Sequence, residues 1–424
     1  MAVGNEITTP TDENEFRSDL KPNFHPCFFA QGKWWVVGFR AAQGGWWRLY
    51  RRDAQNDFVY LTTPGQLETR ADSRPTCIVM SDGTVVIAFV NSGNNRIFHL
   101  TYNATNDDWD VNSGFPVTGG AGIDHTTNNY CLFRDSNDRL IAIKAEDDAG
   151  QKIKANYSDD FGVTWATWTN IRTGSDGLVN ATTHVSGTHF DWGASGGQRA
   201  GFCYVQASGS GEHGFMEIAA TGTPTTKGDW TQTDFTLATG TPEENIACTA
   251  YHAGGGHAGK VFCVIADTGG DHWLLERSAG TSGTWTEEKI TEFTTRRPGI
   301  VINTEDEEII VYAADASAGT ESQYLTAPIG NLSSHSSVMD LITDDVSTDF
   351  NEAHSTYDNV NVASGFWSDL AQNGATSRWE RLITITANTL TPIDPSAAGT
   401  GSTGIIVPAA AGTGSTGIIV PTAD

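Results

Sequence analysis

One repeated unit governs how this 424-residue chain can fold. The unit consists of a polar head residue, two apolar segments joined by a turn, a third segment and an aromatic residue. Its clearest copy spans residues 73–109, where Asp82-Gly83 separates two alternating apolar runs in the pattern of a β-hairpin. The head residue recurs every 49 to 61 residues. The heads are His25, Arg74, His125, His184, Asn245, Arg297 and His354.

Seven units of this length predict an all-β fold, a seven-bladed β-propeller over residues 21–390. A four-stranded blade needs about 40–50 residues, and its loops accept insertions. Because the last copy is the least regular, six blades remain an alternative. In this interpretation residues 1–20 form an N-terminal arm, and residues 391–424 form a tail rich in Gly, Thr and Ala.

The acidic composition excludes some partners. The net charge is −26, from 25 basic and 51 acidic residues. Such a surface repels phosphate backbones and anionic lipid, so we predict neither nucleic-acid nor membrane binding. The N-terminal segment lacks the pattern of a secretory signal, and no apolar run is long enough to cross a membrane. We therefore expect synthesis in the cytoplasm without a signal peptide.

The cysteines do not form a metal-binding pattern. They lie singly in apolar segments, with no CxxC or Cys/His spacing. We predict buried free thiols, and neither a metal nor a cofactor. The six are Cys27, Cys77, Cys131, Cys203, Cys248 and Cys263.

A short motif inside the third unit points to a family. Ser158, Asp160, Gly162, Thr164 and Trp165 spell S-x-D-x-G-x-T-W. In such a turn the aspartate accepts backbone N–H groups, the glycine permits a left-handed backbone, and the tryptophan packs between blades.

With a partial copy at residues 278–285, the chain resembles the BNR/Asp-box superfamily of sialidase-like β-propellers. The resemblance implies a propeller whose boxes lie on the rim, away from the usual active site. It does not imply sialidase activity. The first-blade F/Y-R-I-P motif is missing, and only two arginines, Arg74 and Arg297, stand among the heads where a sialidase has a triad.

The seven heads are candidate ligand-binding residues, because the first strand of each blade lines the central channel. In a functional interpretation, Arg74 and Arg297 hold an anionic sugar such as a uronate, a sialate or a sulfated sugar, since Arg matches carboxylate and sulfate in a bidentate manner. A neutral His125 or His184 then takes a proton. The alternative, which we favour, is structural: the heads hydrogen-bond between blades and to channel water.

The tail carries a duplication. Residues 397–408 read AAGTGSTGIIVP, and residues 410–421 repeat them. A flexible tail is one interpretation. The other is that two β-branched segments dock as edge strands on a neighbouring subunit, since exposed segments of this kind favour pairing. Their residues are Ile405, Ile406, Val407, Ile418, Ile419 and Val420.

These features lead to three hypotheses. The first is a structural or receptor-facing propeller of an extracellular assembly, a bacteriophage virion or tail component that docks to other subunits through the tail and contacts glycans. The first alternative is an enzyme, a polysaccharide lyase or glycoside hydrolase acting on an acidic polysaccharide. The second is a non-catalytic lectin, in which the pairs Trp34-Trp35 and Trp46-Trp47 each expose one ring for sugar stacking. The sequence favours a non-enzymatic role without deciding it.

Overall fold

The computed structural model shows a chain built of β-strands. It describes residues 2–8, 24–40, 46–52, 58–61, 63–70, 73–90, 95–118, 130–146, 152–173, 183–193, 196–206, 213–234, 242–267, 271–281, 283–293, 297–314, 321–343, 350–354, 356–361, 363–372 and 378–384. The helices within these ranges include two short 3₁₀ turns, Lys227–Asp229 and Leu332–Ser334. No helix in the described ranges has the length and hydropathy needed to cross a membrane.

The described strands form seven antiparallel sheets, the blades of a β-propeller. Strand β1 (Ala2–Thr8) belongs to the last blade. Blade 1 contains β2 (Cys27–Ala30), β3 (Lys33–Arg40), β4 (Trp46–Arg52) and β5 (Phe58–Tyr60). Blade 2 contains β6 (Arg74–Val79), β7 (Val85–Val90), β8 (Arg96–Asn103) and β9 (Asp108–Val111), with β10 (Val117–Thr118) also paired to β8. Blade 3 contains β11 (Tyr130–Arg134), β12 (Leu140–Glu146), β13 (Lys152–Ser158) and β14 (Thr169–Thr173).

The other four blades follow the same order. Blade 4 contains β15 (Thr183–Asp191), β16 (Gln198–Gln206), β17 (His213–Ala219) and β18 (Trp230–Asp234). Blade 5 contains β19 (Pro242–Ala250), β20 (Val261–Asp267), β21 (His272–Arg277) and β22 (Trp285–Ile290). Blade 6 contains β23 (Arg297–Asn303), β24 (Glu308–Ala314), β25 (Glu321–Pro328) and β26 (Met339–Thr343). Blade 7 contains β27 (Phe350–His354), β28 (Phe366–Gln372) and β29 (Arg378–Thr384).

The two ends of the propeller meet in blade 7. Strand β1 pairs with β29, so residues of the predicted N-terminal arm supply the fourth strand of this blade. Cys27 of blade 1 forms a parallel bridge with Thr356, which follows β27. The indole N–H of Trp34 donates to the Ser364 carbonyl at 2.8 Å. These contacts join the first and last blades and close the ring. The all-β propeller predicted from the repeat is therefore confirmed.

The hydrophobic core lies between neighbouring blades. Between blades 1 and 2, Trp35, Trp47 and Trp109 are all fully buried. The rings of Trp35 and Trp109 pack edge to face with their centroids 5.6 Å apart. Phe28 approaches the same Trp109 at 5.6 Å. Burial of such aromatic surface is the main favourable term that holds one blade on the next.

The S-x-D-x-G-x-T-W motif forms the turn between β13 and β14. One carboxylate oxygen of Asp160 accepts the Thr164 backbone N–H at 2.8 Å, and the other accepts its hydroxyl at 2.6 Å. Gly162 has a φ of +96°. Trp165 is half-buried against the core shared by several blades.

The structure corrects two expectations. The prediction that every cysteine is a free thiol was wrong, because Cys203 and Cys263 form a disulfide between blades 4 and 5. They are 60 residues apart and come together only when the blades pack, so no local spacing reveals them. The expected exposed tryptophan of the Trp34-Trp35 pair was also wrong, since both are buried. The tail residues proposed for docking lie outside the described residues.

Candidate functional site

A depression of about 210 Å³ opens near one end of the first strands of blades 3, 4 and 5. Its lining combines one guanidinium, two imidazoles, one carboxyl group and two neutral hydrogen-bonding side chains. The lining residues are Arg134, Ser136, His189, Phe190, Asp191, Gln198 and His252. Concave sites with a few convergent polar groups are the usual places for ligand binding.

The site is assembled from the C-terminal ends of first strands. Arg134 is the last residue of β11, and His189 lies near the end of β15. His252 follows the last residue of β19 by two positions. Tyr357 follows β27 of blade 7 and lies behind the histidines. Four blades therefore contribute one side chain each.

A glycine allows blades 3 and 4 to approach closely at this site. A Cβ atom on Gly187 would lie 2.1 Å from Cδ1 of Phe133, the residue before Arg134. Gly187 is on the same face of β15 as His189, two positions away. Only a residue without a side chain permits the present spacing of β11 and β15 at this point.

We expect Gly187→Ala to destabilise the protein by about 1–3 kcal/mol, because Phe133 must move to accept the methyl group. The shift of β11 against β15 should also displace Arg134 from His189 and reduce any activity of the site. Thermal unfolding measures the first effect. Gly228→Ala is the control, since a Cβ there meets nothing within 4 Å. Equal melting temperatures for the two variants would contradict this account of Gly187.

Two imidazoles line the depression, and the Tyr357 ring stacks on one of them from behind. The rings of His189 and His252 are parallel within 24°, with centroids 4.1 Å apart. Nδ1 of His189 lies 2.9 Å from the Tyr357 hydroxyl. Tyr357 in turn packs against His25, with ring centroids 5.8 Å apart. The hydrogen bond to Tyr357 fixes the orientation of the His189 ring.

The hydrogen bonds of His252 define its tautomer. Nε2 of His252 lies 3.0 Å from the carbonyl oxygen of His189. A carbonyl oxygen only accepts, so Nε2 carries the proton, and in the neutral ring Nδ1 has a free lone pair. No described residue hydrogen-bonds to that Nδ1. The backbone is also held, because the His252 N–H donates to Oδ1 of Asn359 at 2.8 Å.

The environment keeps both imidazoles neutral at neutral pH. Burial lowers the pKa of His252 to about 4, and the positive charge of Arg134 contributes. Burial, His252 and Arg134 hold the pKa of His189 well below its usual value. Burial raises the pKa of the Tyr357 hydroxyl, so the phenol stays protonated. Burial also raises the pKa of the neighbouring Asp358 to about 6. The site thus offers neutral bases beside one fixed cation.

Arg134 is held at one of its nitrogens. Its Nη1 pairs with the Asp138 carboxylate at 3.1 Å and approaches the Asp135 carbonyl at 3.4 Å. Nη2 forms no hydrogen bond with any residue that the structure describes. The guanidinium is therefore fixed in position and retains a donor for an anionic group in the depression.

The low pKa of His252 predicts a pH-dependent stability. The unfolded chain protonates His252 near pH 6.5, whereas the folded protein does so only near pH 4. The free energy of unfolding therefore keeps the full contribution of neutral His252 above pH 6.5. As the pH falls to 4 this contribution is lost, which lowers the free energy of unfolding by about 3 kcal/mol. Glu217 and Asp358 have raised pKa values, of about 7 and about 6, and act in the opposite direction.

The test compares the parent protein with His252→Gln by denaturant unfolding across this range. The difference between their free energies of unfolding should shrink by about 3 kcal/mol on going from pH 7 to pH 4. The contributions of Glu217 and Asp358 are common to both proteins and cancel in the difference. If the free energies of unfolding of the two proteins changed with pH in parallel, His252 would have the same pKa in the folded and the unfolded chain.

The predicted head residues that the structure describes do not line the depression. None of the seven is among the lining of the depression, as far as the described residues show. His184 is buried on β15, on the face opposite to His189, and Arg74 lies over the Phe24 ring at 5.7 Å. Asn245, Arg297 and His354 fall within β19, β23 and β27. His125 lies outside the described residues. Among the heads whose side chains the structure describes, His25 reaches the cluster through Tyr357.

Sequence reasoning missed Arg134, His189, His252 and Tyr357. It searched the beginnings of the first strands, whereas these side chains lie at or after their ends. A usable signal was present, because a polar residue ends or follows the apolar strands in YCLFR and ACTAYH. That signal identifies single residues but does not show that they converge.

Comparison with solved structures shows the same propeller fold. The polysaccharide lyase Uly1 has a TM-score of 0.52 and 10% identity, over 91% of this chain and all of its own. A PL25 ulvan lyase bound to -[GlcA(1-4)Rha3S]- has a TM-score of 0.50 and 10% identity, over 90% of this chain and 96% of its own. The microbial sialidase Hz136 has a TM-score of 0.38 and 10% identity, over 69% of this chain and 61% of its own.

No family model and no curated protein matches the chain. At these identities the structural likeness shows the fold alone. The propeller implied by the resemblance is therefore confirmed, whereas membership of the BNR/Asp-box superfamily remains a prediction. The similar structures include carbohydrate-related propellers.

Proposed function

We propose that this protein is a polysaccharide lyase that cleaves a uronate-containing, acidic polysaccharide by β-elimination in the depression beside Arg134. One observation carries the proposal: a neutral histidine pair, His189 and His252, lies beside a fixed arginine in an open, polar depression. Two proteins of similar fold are polysaccharide lyases, one of them bound to a glucuronate-containing sugar, which supports this substrate class.

The chemistry requires the two groups that the site supplies. Elimination removes the proton from C5 of the uronate, which is acidified when the adjacent carboxylate is neutralised. Arg134 is the group that pairs with this carboxylate, because a guanidinium binds carboxylates in a bidentate manner. An imidazole that is unprotonated at neutral pH is the base.

We assign the base to His252, whose Nδ1 carries the lone pair. Nδ1 takes the C5 proton, the C4–O glycosidic bond breaks, and a double bond forms between C4 and C5. The same imidazole then returns the proton to the departing oxygen, so the protein ends the cycle unchanged. Tyr357 does not line the depression. It is a positioning residue that fixes the His189 ring against which His252 stacks.

A panel of polysaccharides tests the proposal. Purified protein is incubated with glucuronate-containing and iduronate-containing polysaccharides, sulfated and unsulfated, and with neutral polysaccharides as controls. We expect the ultraviolet absorbance of an unsaturated uronate to appear with at least one acidic substrate and with no neutral one. A complete panel without turnover would overturn the proposal.

Hydrolysis is the competing chemistry. A hydrolase releases reducing ends without ultraviolet absorbance, so the same assay separates the two reactions.

The virion and tail-docking hypotheses remain predictions, with removal of residues 397–424 as their test. If the tail docks, the truncated protein should stay a folded monomer and fail to assemble.

A further inference from the structure

Three cysteine sulfurs converge between blades 4 and 5, and none of the three residues lines the depression. Cys203 lies on β16, Cys248 on β19 and Cys263 on β20. Their Sγ atoms all lie within 4.8 Å of one another. All three residues are buried, with at most 6% of their surface exposed.

The registers of the two blades bring them together. Cys248 and Cys263 are direct partners across β19 and β20. Cys203 is paired with Ser186 across β15 and β16, and the Cys248 N–H donates to Oγ of that serine at 3.0 Å. The strand pairing and this hydrogen bond hold the three sulfurs together at the contact between the two blades.

The disulfide between Cys203 and Cys263 is the oxidised state of this cluster and uses two of its three sulfurs. The Cα atoms of Cys203 and Cys263 are 7.2 Å apart, whereas disulfides usually span about 4.4–6.8 Å. A disulfide also leaves Cys248 unused beside the pair. A metal ion accepts longer Cα separations because it stands between the sulfurs, and it uses all three.

We propose that the reduced protein binds one soft metal ion, Zn²⁺ or Cu⁺, through the sulfurs of Cys203, Cys248 and Cys263. Thiolates select these ions over harder cations. Each thiol gives up its proton on binding, so three protons are released and no electron is transferred. The ion is structural in this site, since the cluster is closed to solvent and joins two blades.

Burial determines how the ion enters. Because the cluster is enclosed by both blades, the ion binds while blades 4 and 5 pack on each other and is then trapped. Metal binding of this kind is coupled to folding. A chelator should therefore remove the ion from the unfolded chain and leave it in the native protein.

The test uses the full chain, produced separately with Zn²⁺ and with Cu⁺ under a thiol reductant, and measures metal content by mass spectrometry. We expect about one ion per chain for one of the two metals. Cys248→Ala should lose the ion, whereas Cys77→Ala, a buried cysteine between blades 1 and 2, should retain it.

Intact mass gives the second measurement. For protein prepared and kept under a thiol reductant, the proposal predicts a folded chain with the ion bound in place of the Cys203–Cys263 disulfide. A metal-free protein that is two hydrogens lighter than the reduced chain under the same reductant would overturn it, because the disulfide would then persist where the ion should bind. A metal-free protein with six free thiols would overturn it as well. Failure of Cys248→Ala to fold leaves the parent's metal content and mass as the deciding data.

Discussion

His252→Ala is expected to lower kcat for an acidic polysaccharide by about 10²–10⁴-fold, the usual contribution of a general base. The physical reason is that Nδ1 of His252 has a free lone pair and a pKa of about 4, so the ring stays unprotonated at neutral pH. Single-turnover measurement of the unsaturated product gives the chemical step directly. KM should change little, because the carboxylate of the substrate is held by Arg134.

The same loop offers a matched control. His257 lies five residues further on and pairs with Glu307 at 3.3 Å, outside the lining of the depression. His257→Ala should keep its activity within a few-fold. The pH profile is an independent readout: kcat/KM should stay level through neutral pH and fall as the pH approaches 4. Equal losses in both variants, or a profile that falls near pH 6.5, would exclude His252 as the base.

Arg134→Gln is expected to lower kcat/KM by roughly two to three orders of magnitude, since loss of a buried partner for a carboxylate costs about 2–5 kcal/mol. The loss should appear in both KM and kcat, because Arg134 binds the carboxylate and also stabilises the charge that develops there during proton removal. Arg134→Lys keeps the positive charge but lacks the planar guanidinium that donates two parallel hydrogen bonds to a carboxylate. It should therefore recover only part of the activity that Arg134→Gln loses.

A structural role for Arg134 makes a different prediction. Its ion pair with Asp138 links the ends of the turn between β11 and β12. Asp138→Asn removes the charge of that ion pair but keeps a side-chain oxygen that can accept the same hydrogen bond, so the guanidinium should stay in place. If Arg134 acts on the substrate, Asp138→Asn retains much more activity than Arg134→Gln. If the two variants lose activity equally, Arg134 stabilises the turn and does not bind the substrate.

The repeat predicted the fold because a blade is a local structure. Each blade is formed by consecutive strands, so its hairpins leave a periodic pattern of apolar segments and turns such as Asp82-Gly83. The contribution of β1 to blade 7 was not visible, because β1 and β29 lie at opposite ends of the described chain and pair only when the ring closes. The Cys203–Cys263 contact escaped prediction for the same reason.

The site was harder to predict than the fold. His184 and His189 occupy one strand, five positions apart, and therefore lie on opposite faces. Alignment of the repeats selected His184 because it begins the unit, but only His189 meets Tyr357 and His252. Convergence of side chains from blades 3, 4, 5 and 7 depends on how the blades pack, including the close contact that Gly187 allows. No spacing along the chain encodes that geometry.

The acidic sugar remains a prediction, and the residues first proposed to hold it are not those of the depression. Arg74 and Arg297 were proposed to bind the anion and His125 or His184 to accept the proton, whereas an arginine and two histidines line the depression at Arg134, His189 and His252. With a net charge of −26 the surface as a whole repels an anionic polymer, so the proposed substrate would need a local cation such as Arg134.

The most direct test of the central claim is the mass of the products formed in water enriched with heavy oxygen. Elimination breaks the C4–O bond without adding water, so the products should contain no heavy oxygen from the cleavage itself, and their masses should sum to that of the substrate. Incorporation of one heavy oxygen atom at each cleavage would identify hydrolysis and contradict the assignment of His252 and Arg134 to a lyase.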